Sequence, residues 1–476
     1  MRLNPKWMLM VLCSIIAFTI AVVSLEYYFL FLVPVGLVLF FLCYFNPSFY
    51  VLLICSLVPL SFFVSDVAGG LGLSIPTEPM IWIAFIFFIF WVFTKAKVEI
   101  KVLKNPLVFF ILLNTVWMLL TVIFSTMPFV SLKYFIARLW FISTFFILLT
   151  FVFKDVNNMR RFLTYLIYST FILAVYTLFK HYKEDFSRHW GYQIMKPFFQ
   201  DHTIYGAFLA FVFPACIMFT LRARLFKLSY FHSLFFGFVS FTLLFAIVFS
   251  YTRAAWISLI GAFVFYLLIK LKIKFQTIVA ALLLLFVIGY SFQDKLLYSL
   301  ERNKQGSADD LESHAQSVSN ITTDPSNQER VNRWNCAILM FKERPLFGFG
   351  PGTYTFKYAP FQRPEQLTLI STHSGDLGNT HSEYFNSLSE TGLIGFLSWI
   401  GIFLSSVYLG LKVIYEKSRP QWQSSLTTAV LLGLVTYYIH AFLNNYSDFD
   451  KIAAPLWGFI AVIYAVYRND SKLVKF

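Results

Sequence analysis

Charged side chains are scarce in this sequence, and their scarcity excludes most classes of soluble protein. Lys, Arg, Asp and Glu make up 13% of the 476 residues, whereas 58% are hydrophobic and 59 are phenylalanine. Soluble globular domains do not have this composition. The sequence therefore predicts an all-α polytopic membrane protein.

Cysteine is also rare, which removes a second group of structures. Of the five cysteines, Cys13, Cys43, Cys55 and Cys216 lie within apolar runs, and Cys336 lies in the long polar segment. These positions offer neither a disulfide framework nor the ligand spacing of a metal site. No acidic pair has the spacing of a helical metal site, and no serine lies in a nucleophile-elbow pattern. We therefore expect neither a metal nor a cofactor.

Long apolar runs fill most of the chain. A helix needs about 20 mostly apolar residues to cross a membrane, and this length predicts about fourteen spans, or about twelve or thirteen if short runs merge or re-enter the bilayer. They lie near 7–25, 28–44, 49–67, 79–94, 106–124, 134–153, 162–179, 203–221, 231–250, 254–269, 275–292, 393–411, 425–443 and 452–467. The first run has a basic flank but lacks a small-residue cleavage site, so we expect an uncleaved helix.

Basic residues recur in every second connection between the predicted spans. They begin with Arg2 and Lys6 and continue at 94–105, 153–161, 221–227, 270–274, 412–419 and 467–476. The connections between these are neutral or acidic. Because Lys and Arg collect on the cytoplasmic side, the pattern predicts that both termini are cytoplasmic. It also accounts for most of the net charge of +14, so binding to nucleic acid or a lipid surface is the weaker alternative.

Two long external segments divide the predicted spans into four parts. Residues 1–180 form N-terminal transmembrane helices, and 181–292 form core transmembrane helices with an external loop at 181–202. Residues 293–392 form a large external loop, and 393–476 form C-terminal transmembrane helices and a cytoplasmic tail. Long ordered loops often carry function. No internal repeat indicates a transporter-type duplication.

The composition of the large loop changes near residue 328. Residues 301–328 are polar and lack apolar periodicity, so we expect this part to be mobile. Val331, Trp334, Ile338 and Phe341 then recur at helical spacing, and Pro345 marks the end of a predicted helix. The sequence "GFGPG" at 348–352 follows a helix rather than a strand, so it predicts a tight turn and not a dinucleotide-binding loop.

An arginine at the external end of a span is the first candidate for function. Arg253, in "YTRAAW", runs against the positive-inside bias, and its charge needs water or a partner. The alternative is an interfacial anchor whose side chain extends into water.

The predicted loop helix carries the next candidates. Arg330 and Trp334 are four residues apart and share one helix face, with Arg333 beside them. A planar guanidinium binds phosphate through paired hydrogen bonds and keeps its charge in a partly dry cleft. A solvated surface helix is the alternative.

The stretch "THSE" at 380–383 has the pattern of a helix capping box. Thr380 would cap the helix and Glu383 would hydrogen-bond back to the cap. His381 would then occupy the first helical position, where the helix dipole disfavours imidazolium. A neutral histidine with a free ring nitrogen can accept a proton from a hydroxyl. A residue that only hydrogen-bonds locally is the alternative, and His373 is a competing base.

Other polar residues near the span ends are further candidates. Arg138 lies inside a span, so it either binds a ligand phosphate or joins two helices. Asp201 and His202 open the eighth span. Asp448 and Asp450 lie in the last external turn and are equally consistent with solvated loop acids.

Taken in order, these segments resemble the O-antigen ligase and polymerase superfamily. The similar features are an arginine at a span end followed by small residues, "R-x-x-x-W" from Arg330 to Trp334, "P-L-x-G-x-G-P-G" at 345–352, and His381 before "ETGLIG". The stretch "DHTIYGAFLAFVFP" that begins at Asp201 is similar to the segment before the family's core. The resemblance covers about residues 195–465. The family usually has asparagine after the histidine, where this chain has Ser382.

The resemblance implies a metal-independent, inverting glycosyltransferase of the membrane-embedded, GT-C-like class. Such an enzyme takes a glycan from undecaprenyl diphosphate at the periplasmic face of the bacterial inner membrane. His381 would then be the base, and Arg253 and Arg330 would bind the diphosphate. Arg138, His202, Arg333, Trp334, Glu383 and Asp448 would be possible substrate-binding residues.

The acceptor is not fixed by any of these residues. Transfer to lipid A core defines a ligase, which we favour; transfer to another lipid-linked repeat defines a polymerase; and transfer to Ser or Thr defines a protein oligosaccharyltransferase. A transporter of lipid-linked glycan is the alternative from another class. It predicts charges near the bilayer midplane and internal symmetry.

Overall fold

The computed structural model describes residues 32–68, 71–95, 103–292, 325–364, 367, 371 and 378–468, and the structural statements below concern these residues. The helices are α1 (Leu32–Phe45), α2 (Pro47–Leu57), α3 (Thr77–Lys95), α4 (Pro106–Ile123), α5 (Pro128–Val152), α6 (Val156–Tyr182), α7 (His202–Arg222), α8 (Tyr230–Val248), α9 (Arg253–Lys270), α10 (Phe275–Ser291), α11 (Pro325–Glu343), α12 (Glu383–Tyr415), α13 (Gln421–His440) and α14 (Asp450–Arg468).

The predicted fold class is confirmed: the chain is an all-α polytopic membrane protein. Within the described residues, nine helices are long and apolar enough to cross a membrane. From 79 to 467, the helices match the predicted spans to within a few residues, apart from α12, which begins ten residues before its predicted span. The loop helix expected around Val331 is α11. The span predicted at 7–25 and most of the segment expected to be mobile, 301–324, lie outside the described residues.

The prediction of a single span at 49–67 is wrong. Helix α2 ends at Leu57, one 3₁₀ turn follows at Val58–Leu60, and the chain then forms an antiparallel hairpin of β1 (Phe62–Ala68) and β2 (Leu71–Ile75). Pro59 has no N–H to continue the helix. Alternation of apolar with polar or small residues after Leu60 favours a strand over a helix.

Helix α14 forms the centre of the bundle. Its membrane-length window is 94% buried, and α5, α7, α12 and α13 pack around it. Glycines allow α14 to approach its neighbours closely: a Cβ at Gly458 of α14 would lie 2.5 Å from the Phe162 ring of α6, and one at Gly433 of α13 would lie 2.7 Å from the Phe459 ring of α14. Helix α14 is therefore enclosed by protein rather than lipid.

The start of α14 is fixed by buried charges. The Lys451 ammonium donates hydrogen bonds to the carbonyl oxygens of Val58 (2.5 Å) and Ser61 (2.6 Å). The Asp450 carboxylate accepts one from the Thr77 hydroxyl at 2.7 Å. Asp450 is thus not a solvated loop acid. It joins α14 to α3 and to the turn after α2.

Successive helices run in opposite directions, so their connections gather at two ends. At one end, called the site end below, α7, α9, α12 and α14 begin and α6, α8 and α13 end. At the other, called the basic end, lie connections with Arg222, Arg224, Lys227, Lys270, Lys272, Lys274 and Arg419. The alternation of basic and non-basic connections in the sequence therefore corresponds to the two ends of the bundle.

Candidate active site

The loop between α13 and α14, residues 441–449, carries a buried network of polar side chains at the site end. The Asn444 amide Nδ2 donates to Nε2 of His440 at 3.0 Å, and the Tyr446 hydroxyl donates to Oδ1 of Asn444 at 3.1 Å. The Tyr446 hydroxyl also contacts the Thr203 hydroxyl, which lies 2.7 Å from the Asp201 carboxylate. The network thus joins α7, α13 and the loop.

The capping box predicted at 380–383 is wrong. Helix α12 begins at Glu383, and Ser382 precedes it without a side-chain cap hydrogen bond. The Thr380 hydroxyl donates to the Ser382 carbonyl oxygen at 3.0 Å. The Glu383 carboxylate does not turn back, because it accepts hydrogen bonds from the Tyr437 hydroxyl (2.8 Å) and the Ser447 backbone N–H (2.6 Å). The Glu383 carboxylate therefore binds buried groups of α13 and the 441–449 loop and does not cap its own helix.

His381 lies just before α12 rather than within it. Its backbone is left-handed, with φ of 49°. Its N–H donates to the Asn379 side chain at 3.0 Å, and its carbonyl oxygen accepts from the Trp334 indole at 3.3 Å. Asn444 lies near the imidazole ring. The ring nitrogen Nδ1 is buried and has no hydrogen-bond partner within the described part of the chain.

Burial keeps the His381 imidazole neutral. Burial has the largest effect, and together with the positive charges of Arg330 and Arg333 it lowers the pKa of His381 to about 4. We expected a neutral ring because of the helix dipole. The protonation state agrees, but the cause is burial near two arginines.

Arg330 lies beside His381. Its Nε donates to the Leu443 carbonyl oxygen and its Nη1 to the Asn327 side chain, both at 3.4 Å. Its charge acts on the rings of both His381 and His440. The structure therefore brings Arg330 of α11 and His381 together across the 441–449 loop.

Arg253 is the first residue of α9, also at the site end. The backbone of its neighbour Ala254 lies against the His440 ring. The preceding residue, Thr252, donates its hydroxyl to the His202 carbonyl oxygen at 3.0 Å. Arg253 and His202 are thus connected to the network around His440.

Two of the candidates, Arg333 and Trp334, hold the large loop together. The Arg333 guanidinium is buried, pairs with Glu329 at 2.5 Å and lies 3.8 Å from the centre of the Tyr358 ring. It also contacts Gly378 so closely that a Cβ there would lie 1.5 Å from its Nη1. Trp334 donates to the backbone of His381. These contacts fix the segment before His381 on α11.

Arg138, Asp448 and Glu383 form a second buried group. Arg138 of α5 pairs with Asp448 at 2.6 Å and donates to the Ser447 hydroxyl at 3.0 Å. The Ser447 hydroxyl donates to Glu383 at 2.9 Å. The group borders a cavity of about 20 Å³, which has room for roughly one water molecule. Arg138 and Asp448 therefore join helices and support the 441–449 loop.

The predicted tight turn at 348–352 is confirmed, and Glu390 holds it. Gly348, Gly350 and Gly352 all have positive φ, which glycine adopts without a Cβ clash. The Glu390 carboxylate accepts hydrogen bonds from the backbone N–H groups of Gly352 and Tyr354, each at 2.9 Å. The turn is thereby fixed to the first turns of α12.

Three residues of the site, His440, Asn444 and Tyr446, are not among those predicted from the sequence. His440 ends an apolar helix, and a histidine at that position was a usable signal. Asn444 and Tyr446 carry no motif, and only the folded loop reveals them. Among the described residues, no group of three or more His, Cys, Asp or Glu side chains is arranged to bind a metal. His373, the competing base, lies outside the described residues.

Comparison with known proteins identifies the region that carries these residues. Residues 238–400 match a family model described as O-Antigen ligase. The match covers about a third of the chain, and this part is similar to the O-antigen ligase family. The part that matches the O-antigen ligase family contains Arg253, Arg330 and His381 and ends before the 441–449 loop.

A relative from Haemophilus influenzae covers less of the chain. A protein of Haemophilus influenzae with the name "Uncharacterized protein" is 25% identical over 115 residues. These are 24% of this chain and 27% of the relative, so the chain matches about a quarter of the relative's length.

Proposed function

We propose that the protein is an O-antigen ligase-like inverting glycosyltransferase of the bacterial inner membrane. It transfers a glycan from undecaprenyl diphosphate to an acceptor hydroxyl of lipid A core at the periplasmic face. One observation carries the proposal: a neutral His381 with an unpartnered ring nitrogen lies beside Arg330 at one end of an apolar helix bundle. This combination supplies a base and a cation next to the bilayer.

In the proposed reaction, His381 is the general base. A ring nitrogen takes the proton of the acceptor hydroxyl while the hydroxyl oxygen attacks the anomeric carbon of the donor sugar. The bond from that carbon to the diphosphate oxygen breaks with inversion, and its electron pair leaves with undecaprenyl diphosphate. The unpartnered Nδ1 lacks the hydrogen-bond donor that an acceptor hydroxyl would provide.

Arg253 and Arg330 would stabilise the departing diphosphate. Negative charge develops on the leaving oxygen, and two guanidinium groups can neutralise it with fixed geometry. We therefore propose that transfer needs no metal ion. Full activity in EDTA supports this part of the mechanism, and activity that is lost in EDTA and restored by magnesium contradicts it.

The Asn444 network would hold the base in place. Asn444 lies near the His381 ring, hydrogen-bonds the His440 ring and is itself held by Tyr446. A base whose ring is oriented by a neighbour can meet its substrate in one geometry. Asn444 is therefore a positioning residue rather than a catalytic one.

The side of the membrane follows from charge. The basic end carries most of the lysines and arginines of the short connections, and such connections face the cytoplasm. The site end would then face the periplasm, where the lipid-linked donor is used. Both termini would be cytoplasmic.

The choice of lipid A core as acceptor rests on the family description and on the His-centred site next to one large loop. Analysis of glycans in a deletion strain tests this choice. A core without O-antigen, with polymer accumulating on the lipid carrier, supports the ligase. Single repeats on the core would indicate a polymerase, and unmodified glycoproteins would indicate a protein oligosaccharyltransferase.

The first prediction tests the base. We expect His381→Ala to lower the transfer rate by about 10²-fold to 10⁴-fold, the usual contribution of a general base, with normal expression and donor binding. Arg330→Lys should lower turnover about tenfold or more, because a lysine ammonium cannot form the paired hydrogen bonds that a planar guanidinium makes with phosphate. Transfer from a purified lipid-linked donor is the measurement. Wild-type rates in His381→Ala would refute the assignment.

A transporter of lipid-linked glycan remains the alternative from another class. It would move its substrate without forming a glycosidic bond. Purified protein that produces a new glycosidic linkage in detergent, without two separated compartments, excludes transport as the sole activity. Movement of lipid-linked glycan across a bilayer by His381→Ala, without transfer, would favour the transporter.

A further inference from the structure

A second cavity lies at the site end, away from His381. It has a volume of about 280 Å³ and lies between the end of α6 and the following segment. The residues that line it are Lys180, Lys183, Glu184, Trp190, Gln193 and Ile194. We propose that this cavity binds the phosphate headgroup of a membrane lipid whose chains lie along the exposed face of α6.

The two lysines provide the charge for this site. Lys180 donates one hydrogen bond to the Lys196 carbonyl oxygen at 3.0 Å, and an ammonium group has three donors. Lys183 lies 4.7 Å from the centre of the Phe179 ring. Within the described residues, neither lysine has a carboxylate within salt-bridge distance. Glu184 also lines the cavity, so the lining side chains carry a net single positive charge.

The cavity lies where the surface changes from apolar to polar. Tyr168, Ile172, Val175 and Phe179 are exposed along one face of α6 at spacings of three and four residues, and Lys183 continues that face. Trp190 is 43% exposed at the cavity. Aromatic and basic side chains at such a boundary match a lipid with an apolar body and an anionic head.

The wall of the cavity is held by the rest of the site end. His181 hydrogen-bonds the Ser187 carbonyl oxygen at 2.8 Å, and the Tyr251 hydroxyl donates to the Phe186 carbonyl oxygen at 2.9 Å. A Cβ at Gly191 would lie 2.8 Å from the Tyr251 ring. These contacts hold the segment that lines the cavity in place, so the cavity is largely preformed.

The distribution of charge argues against a purely topological role for these lysines. The short connections at the same end, at 124–127, 249–252 and 441–449, contain no lysine or arginine. If this end is periplasmic, the positive-inside rule disfavours basic residues here. Lys180 and Lys183 nevertheless flank one cavity. Interfacial anchors that extend to water are the simpler alternative, and they need no particular ligand.

A direct binding measurement tests the proposal without relying on the proposed transferase activity. The purified full chain, in uncharged detergent, is titrated with dioctanoyl phosphatidic acid by native mass spectrometry. Dioctanoylglycerol tests whether the phosphate is needed, and inorganic phosphate tests whether the chains are needed. Lys180→Gln/Lys183→Gln is compared with Lys270→Gln/Lys274→Gln at the basic end, and melting temperatures check folding.

We expect phosphatidic acid to bind at least tenfold more weakly to Lys180→Gln/Lys183→Gln, with less than a twofold change in the control variant. Equal weakening in both variants, or equal binding of dioctanoylglycerol, would overturn the site. Inorganic phosphate that binds as tightly as the lipid would overturn the lipid assignment. His381→Ala should bind the lipid normally, so failure of the transferase proposal leaves this result intact.

Discussion

The protonation of His381 is set by its burial near arginines. A histidine in water has a pKa near 6.5, whereas that of His381 is about 4. The neutral form is therefore the main form throughout the physiological range. A base with this pKa is available at neutral pH but is a weaker proton acceptor than an ordinary imidazole. Its position beside the reacting hydroxyl then contributes more to rate than its basicity.

The pH dependence of transfer follows from this value. We expect the rate to be constant from neutral pH to about 5 and to fall toward half near pH 4, where His381 becomes protonated. Protonation of the unfolded chain begins near 6.5, so the contribution of His381 to stability falls as the pH falls from about 6.5 to about 4. Initial rates measured with parallel melting temperatures separate the two effects. A break near pH 6.5 in folded protein would contradict the assignment.

Asn444 allows a matched test of positioning. We expect Asn444→Asp to move the acid limb of the rate profile upward by about one pH unit or more, because a carboxylate beside the ring favours imidazolium. Asn444→Ala should lower kcat and leave the KM for the lipid donor nearly unchanged. Both profiles are measured against wild type. An unchanged acid limb in Asn444→Asp would show that Asn444 does not act through His381.

At the scale of elements, the break within α12 joins the large loop to the bundle. Gly392 has φ of 68° and ψ of −168° and separates the first two turns of α12 from its long apolar part. The Leu393 N–H donates to the Pro345 carbonyl oxygen at 2.9 Å. A Cβ at Gly392 would lie 2.1 Å from the Leu346 carbonyl oxygen. Glycine is therefore required at this point.

The fourth prediction follows from that geometry. Gly392→Ala should destabilise the protein by about 1–3 kcal/mol, the cost of a left-handed non-glycine residue combined with a backbone clash. Gly36→Ala in α1 is the matched control, because a Cβ there meets nothing within 4 Å. That variant should be neutral or slightly stabilising. Thermal denaturation in detergent gives the comparison. Equal melting temperatures would contradict the strain argument.

At the scale of the whole molecule, the two ends of the bundle differ in charge and in chemistry. The basic end holds the connections rich in Lys and Arg, and the site end holds His381, Arg330 and Arg253. Charge asymmetry of this kind sets the orientation of a membrane protein. The proposed periplasmic site therefore depends on the orientation of the entire bundle.

Cysteine labelling tests the orientation. We expect Gln200→Cys, exposed at the site end, to react with an impermeant maleimide in intact spheroplasts. Lys417→Cys, exposed at the basic end, should react only after permeabilisation. Cys43, Cys55, Cys216 and Cys336 are buried, and Cys13→Ser provides a clean background. The opposite labelling pattern would refute a periplasmic site.

The sequence by itself determined the membrane class, most of the helices and the three residues proposed for chemistry. Hydropathy is a local sum over about 20 residues, and Arg253, Arg330 and His381 stand out because polar side chains are rare at the span ends. The prediction of a span at 49–67 is wrong, because the mean hydropathy over about 20 residues does not register a helix end at Pro59 or the hairpin that follows it.

Only the tertiary structure decided what these residues contact. The partners of Glu383 lie more than 50 positions away, and Arg138 meets Asp448 from the other end of the chain. The local pattern "THSE" favoured a capping box, but the Glu383 carboxylate is buried and hydrogen-bonds residues that are distant in the sequence. Burial and pairing depend on which distant segments meet, and no window of the sequence contains that information.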